Sequence, residues 1–365
     1  MKDILISIVI PVYNGEKLIK RTVIRLLKQN YKCFEILLID NNSSDRSYEK
    51  CCSLASKDKR IKVLKCLEKG TSLTRKMGIE HSLGEYIIIM DQDDRYNNKN
   101  SFGEMLNAII EDGTDICQFS YYREYPFSFM RRITKAENTV IISADEMLKS
   151  ELKGVMGYSG GHFDMTVWSK IYKASVLKEA VTHIHEPLFF AEDEYLNIWA
   201  FTSPMVQSVS ARNEAYYCWK ANSGFSSKHN GDALMKDYEI VKPLAAKIAE
   251  TYCNDQRLLW YIHAECLFCM RAVIIDMISQ KLDKKIIFQK IEEFSQLNCI
   301  ADAKAYFNNY SDQRKIWSGL RTIISDYTCD EYYDYCCREI PKRTILGTIN
   351  NYYLKGLKVL KNQSE

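Results

Sequence analysis

The first ninety or so residues alternate between two periods, and this alternation restricts the possible folds more than any other feature of the chain. Residues 5–11 form a short apolar run suited to a buried strand; Leu18, Ile19, Val23, Leu26 and Leu27 then follow helical spacing up to Gln29. Residues 34–40 predict a second strand, and Ser44 can cap a helix running to about residue 57. A strand over 61–66, a helix over 71–82 and a strand over 86–91 continue the series, followed by a helix over 101–112 and a strand over 116–122. Strands separated by single helices and short loops build a parallel sheet with right-handed crossovers and helices on its faces. The predicted class is α/β and Rossmann-like. From about residue 126 to 219 the pattern is irregular, and the glycine-rich stretch 154–161 predicts a mobile loop. Beyond Ser223 the periodicity is helical throughout, over 233–252, 257–281 and 284–297 and on to the end. The expected division is an α/β domain over residues 1–229 and a helical region over 230–365.

A length of 365 residues suits two such domains. Fifty Lys and Arg against forty-seven Asp and Glu leave a net charge of +3, too little to select nucleic acid as a partner. No uninterrupted apolar run reaches the ~18 residues of a membrane span. The apolar start carries Asp3 and no cleavage site, so the reading is a cytoplasmic chain. Thirteen cysteines, an odd number in a long chain, read as reduced and structural. Cys266 and Cys269 have zinc-knuckle spacing, but they lie in an apolar helical run and lack a second pair.

Ligands of open parallel sheets bind outside the carboxyl ends of the strands. Here those ends carry Pro11-Val12-Tyr13-Asn14, Asp40-Asn41-Asn42-Ser43-Ser44 and Asp91-Gln92-Asp93-Asp94. Neither a GxGxxG turn nor a GxxxxGK[ST] loop is present to cradle phosphate. Read alone, Asp91 to Asp94 is either a solvated turn or the hard-oxygen site of a divalent cation that would reconcile an acidic rim with a diphosphate.

Together these segments resemble the family-2 glycosyltransferases of the GT-A fold, in particular the bacterial enzymes of surface-polysaccharide synthesis. The resemblance runs through Ser7 to Asn14, Ile39 to Asp45, Thr74-Arg75-Lys76-Met77-Gly78, the Asp91 to Asp94 motif, Val167 to Lys173 and Ala191-Glu192-Asp193-Glu194. It covers residues 5–228; Thr74 and Lys76 stand where the family usually has Ala and Asn. It implies a UDP-sugar donor contacted by Pro11, Tyr13, Asn14, Asp40, Arg75, Asp91 and Gln92. It further implies Mn2+ or Mg2+ at Asp93, and Asp193 as the general base of an inverting transfer to a glycan or lipid-linked saccharide. Glu192 and Glu194 flank that base as like charges and as contacts for acceptor or diphosphate. His162 reads either as a residue of the acceptor mouth or as a solvated loop histidine, and Lys220, Ser226 and His229 follow the last strand, where some members of the family close a loop over the diphosphate.

Two other readings stay open on the residues alone. A glycoside hydrolase could pair Asp93 with Asp193, and a non-catalytic module could dock partners through its helical region. Lys342, Arg343, Lys355, Lys358 and Lys361 among Leu, Ile and Tyr predict either a basic amphipathic helix on the inner membrane face or an ordinary terminal helix. A homo-oligomer is compatible with the sequence.

Overall fold

In a computed structural model of the chain, the described residues are 4–124, 130–158, 161–220, 231–253, 255–309 and 328–338. The chain divides into two compact units, Met1–His229 and Asn230–Glu365.

The first unit is built on strands β1 (Ile6–Val12), β2 (Phe34–Asn41), β3 (Ile61–Cys66) and β4 (Tyr86–Ile89). They lie side by side in the order β3-β2-β1-β4, all parallel. β2 is buried at every position and β1 at all but Pro11, which is why both read as unbroken apolar runs rather than alternating ones. Helices α1 (Ile19–Leu27), α2 (Ser47–Ala55) and α3 (Thr71–Glu80) connect them. α1 buries Ile19, Thr22, Val23 and Leu26, the one-sided stripe its spacing predicts. α4 (Ser101–Asp112) sets Phe102 edge-on between Phe34 and Tyr96, at 5.4 and 5.2 Å between ring centroids. Burying such a ring contributes about 1.5–3 kcal/mol.

The part read as irregular contains most of the remaining sheet. β5 (Arg95–Tyr96), β6 (Ile116–Glu124), β7 (Met130–Ile133), β8 (Val140–Ser143), β9 (Lys170–Lys173) and β10 (Ser208–Lys220) extend the order to β4-β9-β6-β10-β5. β9 is antiparallel to both β4 and β6, so the sheet is mixed rather than parallel throughout. β7 and β8 pair outside that path with β6 and β10. β7, β8 and β9 are four residues each, too short for a period of two to stand out in the sequence. β10 shifts register on either side of Ala215 before pairing residues 217–220 with β6, a bulged stretch of the kind common beside functional sites. The expected loop over 154–161 begins later than predicted, because residues 144–155 are helical with a π-helical middle at Met147–Glu151. Helices α5 (Ala174–Ala180) and α6 (Glu192–Phe201) complete the unit.

In the second unit, α7 (Gly231–Tyr252), α8 (Gln256–Ser279), α9 (Lys284–Ser295), α10 (Asn298–Asn308) and α11 (Cys329–Arg338) share a core that includes Leu267, Met270, Ile274, Ile291, Phe294, Ile300 and Phe307. Asp255 and Asp283 cap α8 and α9 by accepting the N–H groups of Arg257 and Lys285. Among the described residues α8 alone has the length and mean hydropathy of a span, but 72% of its apolar window is buried inside the unit, as in a core helix. Cys266 and Cys269 are buried members of that core. The basic tail containing Lys342 to Lys361 lies outside the described residues.

Candidate active site

Because β1, β2 and β4 are parallel neighbours, their carboxyl ends share one rim. The loops on that rim are tied to one another. Tyr13 N donates to Gln92 Oε1 at 3.3 Å, and Gln92 Nε2 donates to Tyr13 O at 2.9 Å. Asn14, left-handed at φ 47°, donates its N–H to Ser43 Oγ at 3.1 Å and accepts from Ser44 N at 2.9 Å. Pro11 lies within β1 opposite Ile39, half-buried. Asp40 is 1% exposed; its Oδ2 accepts from Ser43 N at 3.2 Å, while Oδ1 has no hydrogen-bond partner among the described residues. A buried acceptor left open costs about 1–3 kcal/mol, which an N–H from a ligand would offset.

Arg75 occupies the centre of the site. Gly78, one turn further along α3, lets the helix press onto the sheet: a Cβ there would lie 2.5 Å from Val9 and 2.7 Å from Ile39. The start of α3 is bound to the loop ahead of α6, with Ser72 Oγ donating to Glu186 O at 2.5 Å and accepting from Leu188 N at 2.8 Å. Lys76 Nζ donates to Ile184 O at 2.7 Å, giving the departure from the usual Asn a partner in the same region. These ties bring α6 against α3. Arg75, only 3% exposed, then donates through Nη1 to Asp193 Oδ1 and to Glu192 Oε1 at 3.3 Å, and through Nη2 to Asp91 Oδ1 at 3.2 Å. The guanidinium of Arg75, expected to contact the donor nucleotide, is turned onto three carboxylates. Burial acts to lower its pKa, but Asp193, Glu192 and Asp91 hold it above the usual arginine range. Asp91 is pushed up to about 6 by burial, with Arg75 opposing and Asp193 and Asp93 adding to the rise. Glu192 is raised by burial in the same way, against Arg75.

The remaining carboxylates of the turn have distinct surroundings. Asp94 is 2% exposed; its Oδ2 accepts from the Tyr217 hydroxyl at 2.6 Å and its Oδ1 from Lys220 N at 2.8 Å. The same hydroxyl accepts from Asp91 N at 3.1 Å, so Tyr217 pins both ends of the turn. Asp93 stands at the turn's half-buried corner. Among the described residues no cluster of three or more His, Cys, Asp or Glu side chains forms a metal cage. The hard carboxylate oxygens of the turn are nevertheless of the kind that would hold Mg2+ or Mn2+, which commonly needs only one or two protein carboxylates.

Asp193 is held from its other side as well. Its Oδ2 accepts from Val167 N at 3.3 Å. The loop presenting that N–H is fastened by Lys170, a fully buried side chain whose Nζ donates to Thr166 O and, at 3.1 Å each, to Asp164 O and Asp164 Oδ1. Burial lowers the Lys170 pKa; Asp164, although buried, is drawn down to about 2 by Lys170 and Lys135. Tyr172 Oη and Asn197 close the loop from beneath, bonding Val167 O at 3.2 Å and Met165 O at 2.7 Å. Sequence reasoning noticed the segment 167–173 only through resemblance and assigned no role to Lys170 or Asp164. A lysine inside the apolar run Val167-Trp168-Ser169-Lys170-Ile171-Tyr172 was the available signal.

The outlying expectations divide. Glu194, expected to contact acceptor or diphosphate, is 1% exposed and belongs to the interior, since α6 turns that side inward. His162 is half-exposed, with Nδ1 3.1 Å from Glu151 Oε1 and its N–H on Glu151 Oε2 at 2.7 Å. Lys220 reaches the Asp94 side of the rim through its backbone. Ser226 and His229 lie outside the described residues.

Known proteins resemble this chain in sequence and in fold. Residues 7–178 match Glycosyl transferase family 2. An uncharacterized glycosyltransferase of Bacillus subtilis, EpsJ, is 28% identical over 245 residues, 67% of this chain and 69% of its own. Glycosyltransferase GlyG of Streptococcus pneumoniae is 27% identical over 249 residues, 67% of this chain and 80% of its own. In fold, the structure of S. aureus TarS 1-349 in complex with UDP-GlcNAc resembles it at a TM-score of 0.60 and 20% identity, covering 91% of this chain and 89% of that one. Residues 7–178, within the first unit, thus match the nucleotide-sugar-dependent glycosyl transferase family 2, and the fold around them is a Rossmann-like α/β core of the kind seen in TarS.

Proposed function

We propose that the protein transfers a sugar from a UDP-sugar to a hydroxyl of a glycan or lipid-linked saccharide, with inversion, in the cytoplasmic synthesis of a cell-surface polysaccharide. The observation that carries this reading is the convergence of Asp91 and Asp193 on Arg75, which joins the donor-side turn to a carboxylate suited to proton transfer. The donor's base and ribose lie against Tyr13, Asn14, Asp40 and Gln92, and the open Oδ1 of Asp40 receives an N–H of the base. Asp193 spends one lone pair of each oxygen on Arg75 and Val167 and keeps the others to accept the attacking hydroxyl's proton. A positioned base of this kind contributes typically ~10²–10⁴-fold. Asp93 would hold Mn2+ or Mg2+, which as a Lewis acid stabilises charge on the departing diphosphate.

TarS of Staphylococcus aureus, named as a poly(ribitol-phosphate) beta-N-acetylglucosaminyltransferase, is 24% identical over 252 residues and supports UDP-GlcNAc as the first donor to try. The family match favours transfer over the hydrolase and scaffold readings. Incubation with a panel of UDP-sugars and saccharide acceptors, read by NMR of the new anomeric centre, tests the proposal. A product that keeps the donor's configuration, or release of free sugar from a saccharide with no nucleotide sugar present, would refute it.

A further inference from the structure

Helix α1 carries charge of one sign on one side. At 3.6 residues per turn, Lys17, Lys20, Arg21, Ile24, Arg25 and Lys28 fall within an arc of about 140°. Lys17 belongs to the turn that leads into α1 and Lys28 is its C-cap, and all six residues are exposed. The opposite face, Ile19, Thr22, Val23 and Leu26, is the one buried against the sheet.

The stripe is not neutralised from within the fold. No acidic residue occurs between Lys17 and Lys28. Glu16, just ahead, is paired with Lys50 at 3.3 Å, and Glu49 on α2 with Arg46 at 3.5 Å. Among the described residues none of the five cations makes a side-chain hydrogen bond or an ion pair. Burial, Arg21 and Arg95 lower the Arg25 pKa; Glu124 opposes them, but it is bonded to Arg95 at 3.3 Å. Like charges three and four residues apart repel on a helix surface, so the stripe costs the fold stability unless an external anion meets it.

Ile24 decides which anion fits. It is 38% exposed in the middle of the cations. A soluble polyanion would use the charges and leave that side chain in water. An apolar residue flanked by Lys and Arg, whose own stems are apolar, matches the boundary between lipid headgroups and acyl chains. The helix is also fixed to the candidate site. α1 follows the carboxyl end of β1, so its first turn stands at the rim, and Thr22 Oγ1 donates to Gln92 O at 2.8 Å.

We propose that the exposed face of α1 lays the first unit against an anionic phospholipid surface. The contact is side-on to the sheet, so the rim stays open at the edge of the bilayer, where a lipid-linked saccharide is met. The inference goes beyond the functional reading above and does not depend on it, because the contact needs neither donor nor transfer.

The test is co-sedimentation of the full chain with vesicles of phosphatidylcholine alone and of phosphatidylcholine mixed with phosphatidylglycerol, at low and raised salt. The chain is expected to pellet with the anionic vesicles only, and less as salt rises. Lys20→Glu, Arg21→Glu and Arg25→Glu combined should lower vesicle affinity at least tenfold, and Ile24→Ser at least threefold. These positions are exposed and outside the candidate site, so melting temperature and UDP affinity should not fall. No pelleting with anionic vesicles, or equal pelleting with both compositions, overturns the proposal. Unchanged pelleting after the charge reversal places the contact elsewhere in the chain, such as the basic segment from Lys342 to Lys361, and overturns the claim for α1. Parent-like pelleting of Ile24→Ser, with inorganic polyphosphate bound as tightly as the vesicles, assigns the stripe to a soluble polyanion and overturns the lipid.

Discussion

The Arg75 guanidinium on α3 holds the Asp193 carboxylate at the start of α6, 118 residues further along the chain. The same group reaches Asp91 at the end of β4, so one buried cation aligns the donor-side turn with the carboxylate proposed as base. Neither partner is placed by its own loop alone. Their relative position depends on the seating of α3 against the sheet at Gly78 and on the tie from Ser72 to the segment ahead of α6.

That arrangement makes Arg75 sensitive in two separable ways. Arg75→Met leaves three carboxylates facing one another without their cation and should cost about 3–5 kcal/mol, the loss expected on breaking a buried pair. Arg75→Lys keeps the charge but not the planar fork. It should lose less stability, while transfer falls at least tenfold because Asp193 is no longer aimed. Thermal melts and initial rates on both variants check this, and an unchanged melting temperature in Arg75→Met would contradict it.

Asp193 and Glu194 are adjacent but should respond differently. Asp193→Asn preserves shape and removes the proton acceptor, so transfer should drop at least a hundredfold, about 2.7 kcal/mol of barrier, with UDP affinity little changed. Glu194 is buried at 1% exposure, so Glu194→Gln should act on the melting temperature rather than on the rate of the chemical step. Near-normal transfer by Asp193→Asn would remove it from the role of base.

The titration of Asp91 gives a prediction with a definite sign. Its carboxyl is raised from 3.8 to about 6, chiefly by burial. A carboxyl that holds its proton more tightly when folded contributes its full stability below the unfolded value and loses it as pH rises through the folded one. Stability from this group should therefore decline between about pH 4 and pH 6 and stay level above. Melting temperatures of the parent and of Asp91→Asn across that window should diverge, the variant losing less with rising pH. Parallel curves would show that Asp91 titrates where an ordinary carboxylate does.

The parts legible in the sequence were those whose signal is local. The strands at residues 6–12 and 34–41 are buried on both faces and announce themselves as apolar runs, and α1 as a one-sided stripe. Asp40, Asp91 and Asp93 follow from their places at strand ends. The contacts that complete the site were not legible, because each joins residues remote in sequence. Tyr217 reads as an ordinary strand aromatic until its hydroxyl is found between Asp91 and Asp94. Lys170 reads as a polar break in an apolar run until its ammonium is found holding the loop that presents Val167 N–H to Asp193. The inward turn of Glu194 depends on which side of α6 faces the unit, and three successive acidic residues give no hint of it.

The three aspartates of the 91–94 turn separate the metal claim from structural effects. Asp94 is buried and bonded to Tyr217 and Lys220, so Asp94→Ala strands a buried hydroxyl and should lower the melting temperature with or without metal. Asp93 stands at the half-buried corner, where a cation shared with the donor's phosphates can be reached. UDP affinity measured with Mn2+ should fall at least tenfold on adding EDTA, and Asp93→Ala with Mn2+ should bind UDP as weakly as the parent does in EDTA. The variant in EDTA should show no further loss, since the same contact has been removed by either route. Equal UDP affinity in Mn2+ and EDTA, or a second loss on chelation in Asp93→Ala, would place the cation elsewhere or remove it from donor binding.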